Sequence, residues 1–142
     1  MSDNVILLVE DDPDHEALAI RALRKANVAN EIKVAHDGAE ALEYLKGVAD
    51  GSETVPQLVL LDLKLPKVEG LDVLRNIRAT DKTALLPVVV LTSSDEERDI
   101  VASYRLGVNS YIRKPVNFSD FAEATRQLGM YWLLLNQCPP TP

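Results

Sequence analysis

Four groups of polar residues have side chains that suit metal and phosphate chemistry. They are the acidic run Glu10-Asp11-Asp12, the single carboxylate Asp62, the hydroxyl residue Thr92 and the amine Lys114. Each group ends or follows a short apolar run. Carboxylates about 4 Å apart repel by roughly 4 kcal/mol per pair at an effective dielectric constant near 20. If these acids lie together, they require either a bound proton or a divalent cation.

Metal-assisted phosphoryl transfer is the chemistry that this set of residues favours. Because its ligands are carboxylate oxygens, without His or Cys, it selects Mg²⁺, with Mn²⁺ as a second choice. The candidate ligands are Asp11, Asp12 and Asp62. Lys114 would supply a positive charge and Thr92 a hydroxyl donor, and Asp62 would act as the nucleophile that forms an acyl phosphate.

Each of these residues also has an ordinary structural role. An acidic pair before a helix commonly caps it, and an Asp after a strand commonly forms a turn. Lys114 could be a solvated charge, and Thr92 could simply lead into a helix. The joint occurrence of all four groups at strand ends favours the functional interpretation.

Alternating apolar runs and helical patterns predict the elements that position these residues. The runs are nearly continuous and rich in β-branched residues, as in strands buried on both faces of a parallel sheet. Asp37 with Glu40, and Ser94 with Glu97, have capping-box spacing. We predict strands near 5–10, 31–35, 57–62, 87–92 and 109–112, and helices near 13–27, 38–47, 70–79, 95–106 and 118–136.

Right-handed crossovers between these elements give an open, doubly wound α/β sheet with five strands and five helices. Ligands bind outside the carboxyl ends of the strands in such sheets. We therefore expect Asp11, Asp12, Asp62, Thr92 and Lys114 to converge on one edge. His15 and His36 would be solvated residues near that edge.

Composition restricts the class of protein. The 142 residues suit one domain, and a net charge of −7 disfavours binding to nucleic acid or to an anionic membrane. The single cysteine, Cys138, cannot form an internal disulfide, and neither a signal peptide nor a membrane span is visible. We expect a cytoplasmic protein with one domain at 5–136, a loose tail at 137–142 and no output domain.

The motifs resemble those of the response regulator receiver domain of two-component signalling. They are Val-Glu-Asp-Asp-Pro (9–13), Leu-Leu-Asp-Leu-Lys-Leu-Pro (60–66) with Gly70, Val-Leu-Thr-Ser-Ser (90–94) and Ser-Tyr-Ile-Arg-Lys-Pro (110–115). The resemblance runs from about residue 5 to residue 135. It implies a flavodoxin-like sheet of strand order 2-1-3-4-5 and a phosphorelay protein that catalyses only its own phosphorylation and dephosphorylation.

The same resemblance assigns roles to individual residues. It implies that Asp62 accepts the phosphoryl group from a histidine kinase and that the backbone carbonyl of Lys64 joins Asp11, Asp12 and Asp62 as a metal ligand. Thr92 and Tyr111 would be the switch residues, with the fourth helix, fifth strand and fifth helix as the surface that reports phosphorylation. A cis peptide bond is expected before Pro115.

The last predicted helix is apolar on nearly all faces beyond Leu128. Phe121, Ala124, Leu128, Tyr131 or Trp132, and Leu135 fit a core-facing stripe. We expect the remaining surface to form a homodimer together with the fourth helix and fifth strand. The predicted contact residues are Met130, Trp132, Leu133 and Leu134.

The apolar C-terminal helix and the long loop before the third strand are similar to the small stand-alone regulators that pair with cyanobacterial and bacterial phytochromes. This similarity implies a phytochrome-type histidine kinase as partner. Two other classes remain as alternatives. A metal-dependent phosphatase with an aspartyl nucleophile typically has a second Asp at the position of Lys64. A nucleotide-binding module would need a Gly-rich loop after the first strand.

Overall fold

The computed structural model describes residues 4–115, 117–137 and 139. Strands and helices alternate along the chain close to the predicted bounds. In chain order the elements are β1 (Val5–Val9), α1 (Pro13–Lys25), β2 (Glu31–Ala35), α2 (Gly38–Asp50), β3 (Leu58–Leu61), α3 (Gly70–Ala79), β4 (Val88–Thr92), α4 (Glu97–Arg105), β5 (Ser110–Arg113), α5 (Phe118–Gly129) and a π-helical segment (Met130–Leu135).

The five strands form one parallel sheet in the order β2-β1-β3-β4-β5. Every residue of β1, β3 and β4 is buried. Their unbroken apolar runs follow from this burial, because both faces of the sheet are covered by helices. The predicted fold class and strand order are confirmed.

Alternate residues of each central strand enter two separate cores. Leu7 of β1 and Val59 of β3 pack with residues of α2 and α3. Their neighbours Ile6 and Leu60 pack with residues of α1 and α5 on the opposite face. Since the strands are parallel, their carboxyl ends lie along the same edge of the sheet.

The two predicted capping boxes have different outcomes. Asp37 caps α2, since its Oδ1 accepts the backbone N–H of Glu40 at 2.8 Å. The box expected at Ser94 is wrong, because α4 begins at Glu97 without a side-chain cap. The Ser94 hydroxyl donates instead to Asp99 Oδ2, at 2.6 Å.

Gly70 allows α3 to start directly against the loop that follows β3. Its backbone N–H donates to Leu63 O at 2.9 Å. A Cβ atom at this position would lie 2.3 Å from the carbonyl oxygen of Asp62. Any side chain here would therefore displace the backbone that carries Asp62.

The C-terminal region differs from the single predicted helix at 118–136. The α-helix ends at Gly129, and the chain continues as the π-helical segment. Gly129 packs closely on α1, since a Cβ atom at this position would lie 2.6 Å from Leu23 Cδ2. Most of the expected loose tail, including Cys138, lies outside the described residues.

The described residues contain no cis peptide bond. The expectation of a cis bond before Pro115 is therefore wrong. No helix among the described residues combines the length and apolar character needed to cross a membrane.

Candidate functional site

Lys114 is the centre of the polar cluster at the carboxyl edge of the sheet. It follows β5, and its backbone N–H donates to Thr92 O at 2.6 Å, which joins the ends of β4 and β5. Its Nζ lies 2.7 Å from Glu10 Oε1, 2.8 Å from Asp62 Oδ2 and 3.0 Å from His15 Nδ1. The lysine side chain is only 5% exposed, so these contacts lie away from solvent.

Asp62 immediately follows β3, and its carboxylate is buried beside Lys114. Oδ2 accepts from the lysine, and Oδ1 accepts the backbone N–H of Lys64 at 3.2 Å. The Asp62 backbone N–H donates to Val9 O at 3.1 Å, which fixes it against the end of β1. The structure thus brings together Asp62 and Lys114, as predicted.

Three acids at this edge form a candidate metal site. Glu10, Asp11 and Asp62 each offer a carboxylate oxygen, and these oxygens lie within 4.8 Å of one another. All three are hard oxygen donors, which Mg²⁺ and Mn²⁺ prefer, so the residues present fit such an ion. The carbonyl of Lys64 stays a predicted further ligand.

The structure does not place Asp12, a predicted metal ligand, in this group of acids, which contains Glu10 instead. Asp12 is the N-cap of α1, where its Oδ1 accepts the backbone N–H groups of Asp14 and His15 at 2.9 and 3.2 Å. This is the capping role that the sequence left open. The cap directs Asp12 towards the start of the helix and leaves Glu10 beside Lys114.

Burial and charge act in opposite directions on the pKa values of this cluster. Desolvation raises the pKa of Glu10 to about 7, although Lys114 partly offsets it. Burial alone would lower the pKa of Lys114, but its attraction to Asp62 and Glu10 prevails and raises that pKa above the ordinary value. Lys114 is therefore firmly cationic, and Glu10 holds a proton more readily than an exposed carboxyl does.

A second hydrogen-bonded group connects the end of β4 to β5. Thr92 is fully buried, and the backbone N–H of Ser94 approaches its Oγ1 at 3.4 Å. The Tyr111 hydroxyl donates to Ser94 O at 2.8 Å. The predicted switch residues Thr92 and Tyr111 therefore both contact the segment that joins β4 to α4.

A cleft of about 390 Å³ adjoins the acids between the loop after β3 and the start of α4. Asp11, Lys64, Arg98 and Asp99 are among the residues that line it. Of the three clustered acids, Asp11 is the one that lines this cleft.

The two histidines have different surroundings. His36 is 55% exposed and pairs with Glu16 across 2.9 Å, as expected of a residue near the surface. His15 is half-buried, with its side chain 29% exposed, and it contacts Lys114 and stacks on the ring of Phe121. Sequence reasoning missed this contact, which joins residues 99 positions apart.

The exposed apolar surface at the C-terminal end differs in part from the predicted set. Met130 and Leu134 are exposed as expected, whereas Trp132 and Leu133 pack partly against the core formed with α1 and α5. The stripe placed Tyr131 or Trp132 towards the core, and Trp132 is the one that packs there, since Tyr131 is 51% exposed. Leu135, which the stripe also placed towards the core, is 73% exposed. We define the C-terminal apolar patch as Met130, Tyr131, Leu134 and Leu135.

The π-helical turn explains this change. Asn136 donates its backbone N–H to Tyr131 O at 2.6 Å, five residues earlier. Such turns are wider than the α-helical turn, so the 3–4 spacing no longer predicts which side chains face the core.

The protein has an open parallel sheet with acids and a buried lysine at its carboxyl edge. It therefore falls in the class of α/β proteins that bind their ligands at the carboxyl ends of the strands. The family model of the response regulator receiver domain matches residues 6–126. The chain belongs to this family, which confirms the resemblance drawn from its motifs.

Two relatives are similar over nearly the whole chain. The probable methanogenesis regulatory protein FilR2 of Methanothrix harundinacea is 40% identical over 135 residues, which cover 95% of this chain and 87% of the relative. Response regulator Rcp1 of Synechocystis sp. is 37% identical over 130 residues, which cover 91% and 88%.

Two solved structures share the fold closely. The Mn²⁺-bound form of Rcp1 has a TM-score of 0.89 at 36% identity, and covers 96% of this chain and 99% of its own. The phosphorylated cyanobacterial phytochrome response regulator RcpA has the same TM-score at 38% identity, with coverage of 96% and 99%.

Proposed function

We propose that this receiver domain accepts a phosphoryl group on Asp62 from the phosphohistidine of a sensor kinase. The phosphorus–nitrogen bond of the donor breaks, and a phosphorus–oxygen bond to the Asp62 carboxylate forms. The observation that carries the proposal is the 2.8 Å contact of Lys114 Nζ with Asp62 Oδ2 inside a buried acidic cluster.

Residues around Asp62 supply what the transfer requires. Lys114 places a positive charge next to the oxygens that gain negative charge in the transition state. Glu10, Asp11 and Asp62, with the predicted Lys64 carbonyl, would hold Mg²⁺ or Mn²⁺. The ion would offset the negative charge of the acids and the phosphoryl group. The Mn²⁺-bound form of the relative Rcp1 supports this assignment.

Thr92 and Tyr111 connect the acceptor to a surface that a partner could read. A phosphoryl group adds charge and strong acceptor oxygens to the edge, and the Thr92 hydroxyl would turn towards them. Tyr111 is bonded to Ser94 O in the segment that would then move. The surface of α4, β5 and α5 would report the change through protein contacts.

Acetyl phosphate with Mg²⁺, followed by intact mass measurement, tests the acceptor assignment. We expect the wild-type protein to gain the mass of one phosphoryl group and Asp62→Asn to gain none. Asp81→Asn is the control, because Asp81 is exposed in the turn after α3. A gain that persists in Asp62→Asn would contradict the assignment.

We propose that the donor kinase is of the phytochrome type. The similarity to RcpA supports this choice, since that structure is of a phytochrome response regulator. A radiolabelled phytochrome kinase should transfer its phosphoryl group faster than a sensor kinase without a phytochrome domain. Equal transfer rates from both kinases would contradict the choice, and the similarity to FilR2 makes that comparison necessary.

We also propose that the protein forms a homodimer through the C-terminal apolar patch and the neighbouring surface of α4 and β5. On α4, Val101 and Tyr104 are 44% and 53% exposed, so this helix also offers apolar side chains to a partner. Leu134→Glu should give monomers in sedimentation velocity, while Leu85→Glu, at a leucine that is 63% exposed elsewhere, should not. An unchanged mass for Leu134→Glu would reject this interface.

We propose a cytoplasmic signalling protein that binds neither nucleic acid nor membranes and acts on no substrate except its own Asp62. Steady hydrolysis of p-nitrophenyl phosphate would instead support the alternative of a phosphatase with an aspartyl nucleophile.

A further inference from the structure

His15 is held between the site lysine and the last α-helix. It lies in the first turn of α1, and its side chain is 29% exposed. Its Nδ1 is 3.0 Å from Lys114 Nζ. Its ring stacks on Phe121 of α5, with centroids 5.1 Å apart and planes at 26°.

The lysine contact fixes the chemical form of the imidazole. An ammonium group has three N–H donors and no acceptor, so Nδ1 must accept the hydrogen bond with its lone pair. This contact fits the tautomer that has its N–H on Nε2. Glu10 Oε1, Asp62 Oδ2 and His15 Nδ1 together supply an acceptor for each of the three lysine donors.

We infer that His15 is a positioning residue for Lys114 in the phosphoryl transfer. This inference rests on the proposed function of Asp62 as the acceptor. An imidazole that accepts through Nδ1 brings no negative charge, so it directs Nζ without cancelling the positive charge that the incoming phosphoryl oxygens need. A carboxylate at this place would add another anion to an already acidic edge.

The stack on Phe121 restricts the plane of the His15 ring. Phe121 is 2% exposed and belongs to the core between the sheet, α1 and α5. Its buried ring holds the imidazole plane, so the packing of α5 against α1 orients the acceptor for Lys114. The position of the site lysine is thereby linked to the helix that precedes the C-terminal apolar patch.

Two substitutions separate the acceptor from the stacked ring. His15→Phe keeps a ring against Phe121 and removes the acceptor. His15→Asn removes the ring and can place its side-chain oxygen near the position of Nδ1. We expect acetyl phosphate to phosphorylate His15→Phe about fivefold more slowly than wild type, the effect of one lost hydrogen bond. His15→Asn should recover most of that rate.

The rates distinguish positioning from a structural role. Thermal unfolding of both variants controls for damage to the fold, and rates are compared at matched fractions of folded protein. The inference is overturned if His15→Phe reacts as fast as wild type, or if His15→Asn is as slow as His15→Phe. Failure of wild type to react at all would instead reject the proposed function.

Nitrogen-15 NMR of the imidazole tests the contact without any phosphorylation. At about pH 8.5 a free imidazole is neutral and populates both tautomers. We expect His15 to carry its proton on Nε2 in wild type and to lose this preference in Lys114→Met. A proton on Nδ1 in wild type would overturn the inference.

Discussion

Substitution of Lys114 by methionine removes the cation between Glu10 and Asp62 while keeping a side chain of similar length. The amine lies 2.7 Å and 2.8 Å from the two carboxylates, and the three side chains are between 4% and 7% exposed. The variant leaves two buried carboxylates without this partner, in a place where water reaches them poorly.

The expected loss of stability follows from this burial. Removing one partner of a buried ion pair costs about 3–5 kcal/mol, because the remaining charge stays desolvated. We expect a loss of about 3 kcal/mol in the free energy of unfolding at pH 8 without divalent cations. For a domain of this size the midpoint of thermal unfolding should fall by roughly 10 °C.

The loss should shrink at acidic pH. Burial raises the pKa of Glu10 to about 7, above its ordinary value of 4.5. The neutral form of Glu10 is thus favoured by folding, and the stability that it contributes is present below pH 4.5 and is lost as pH rises through about 7. Near pH 5.5, where Glu10 is largely neutral, the effect of Lys114→Met should be roughly half.

Urea unfolding at the two pH values, with and without Mg²⁺, measures these differences. Lys33→Met is the control, because Lys33 pairs with Glu31 across 3.1 Å at the surface and both side chains are about half exposed. We expect no measurable loss for the control and partial recovery of Lys114→Met in Mg²⁺. If Lys114→Met were as stable as Lys33→Met at pH 8, the role given to Lys114 would be refuted.

Three further predictions concern metal binding and packing. Calorimetry should show that the Mg²⁺ affinity weakens up to tenfold per pH unit below about pH 7. The reason is that the ion competes with the proton on Glu10, whose pKa is raised by burial. A Mg²⁺ affinity that stays constant over this pH range would contradict the prediction. Asp12→Ala should lower stability by about 1 kcal/mol through loss of the α1 cap and leave Mg²⁺ affinity unchanged, whereas Glu10→Gln should weaken Mg²⁺ binding. Arg78→Ala should destabilise the fold by roughly 2–3 kcal/mol in urea unfolding, since the Arg78 guanidinium donates to the carbonyl groups of Ala84, Leu86 and Gly107. Arg78→Lys should recover little of this stability. Full recovery of stability in Arg78→Lys would argue against the need for several donors.

The strands and the convergence of Asp62 and Lys114 follow directly from the sequence. Buried parallel strands must be apolar on both faces, so they stand out as short continuous runs. The residue after such a run lies at the carboxyl edge, whichever helix follows. For this reason the apolar runs, taken with the open parallel sheet that they predict, place near one edge two residues that are 52 positions apart.

The placement of Asp12 outside the group of acids has a physical origin. Glu10, Asp11 and Asp12 are consecutive and chemically similar, so composition does not tell which two face the cluster. The local signal is the position of Asp12 directly before Pro13, which is typical of an N-cap followed by a first-turn proline. Capping fixes Asp12 and leaves Glu10 and Asp11 for the site.

Neither the π-helical turn nor the contact of His15 with Lys114 could be predicted from the sequence, and the reasons differ. The π-helical turn changes which side chains face the core, and no residue pattern at 130–135 predicts such a turn. The contact between His15 and Lys114 depends on how α1 and α5 pack across the sheet, which only the assembled fold determines.

Chemical mapping of the phosphorylated residue tests the central claim most directly. After reaction with acetyl phosphate and Mg²⁺, borohydride reduces an aspartyl phosphate to homoserine and releases phosphate. Peptide mass spectrometry should then find homoserine in place of Asp62. Homoserine at Asp11 or Asp12, or reduction of Glu10 instead, would contradict the account of this site.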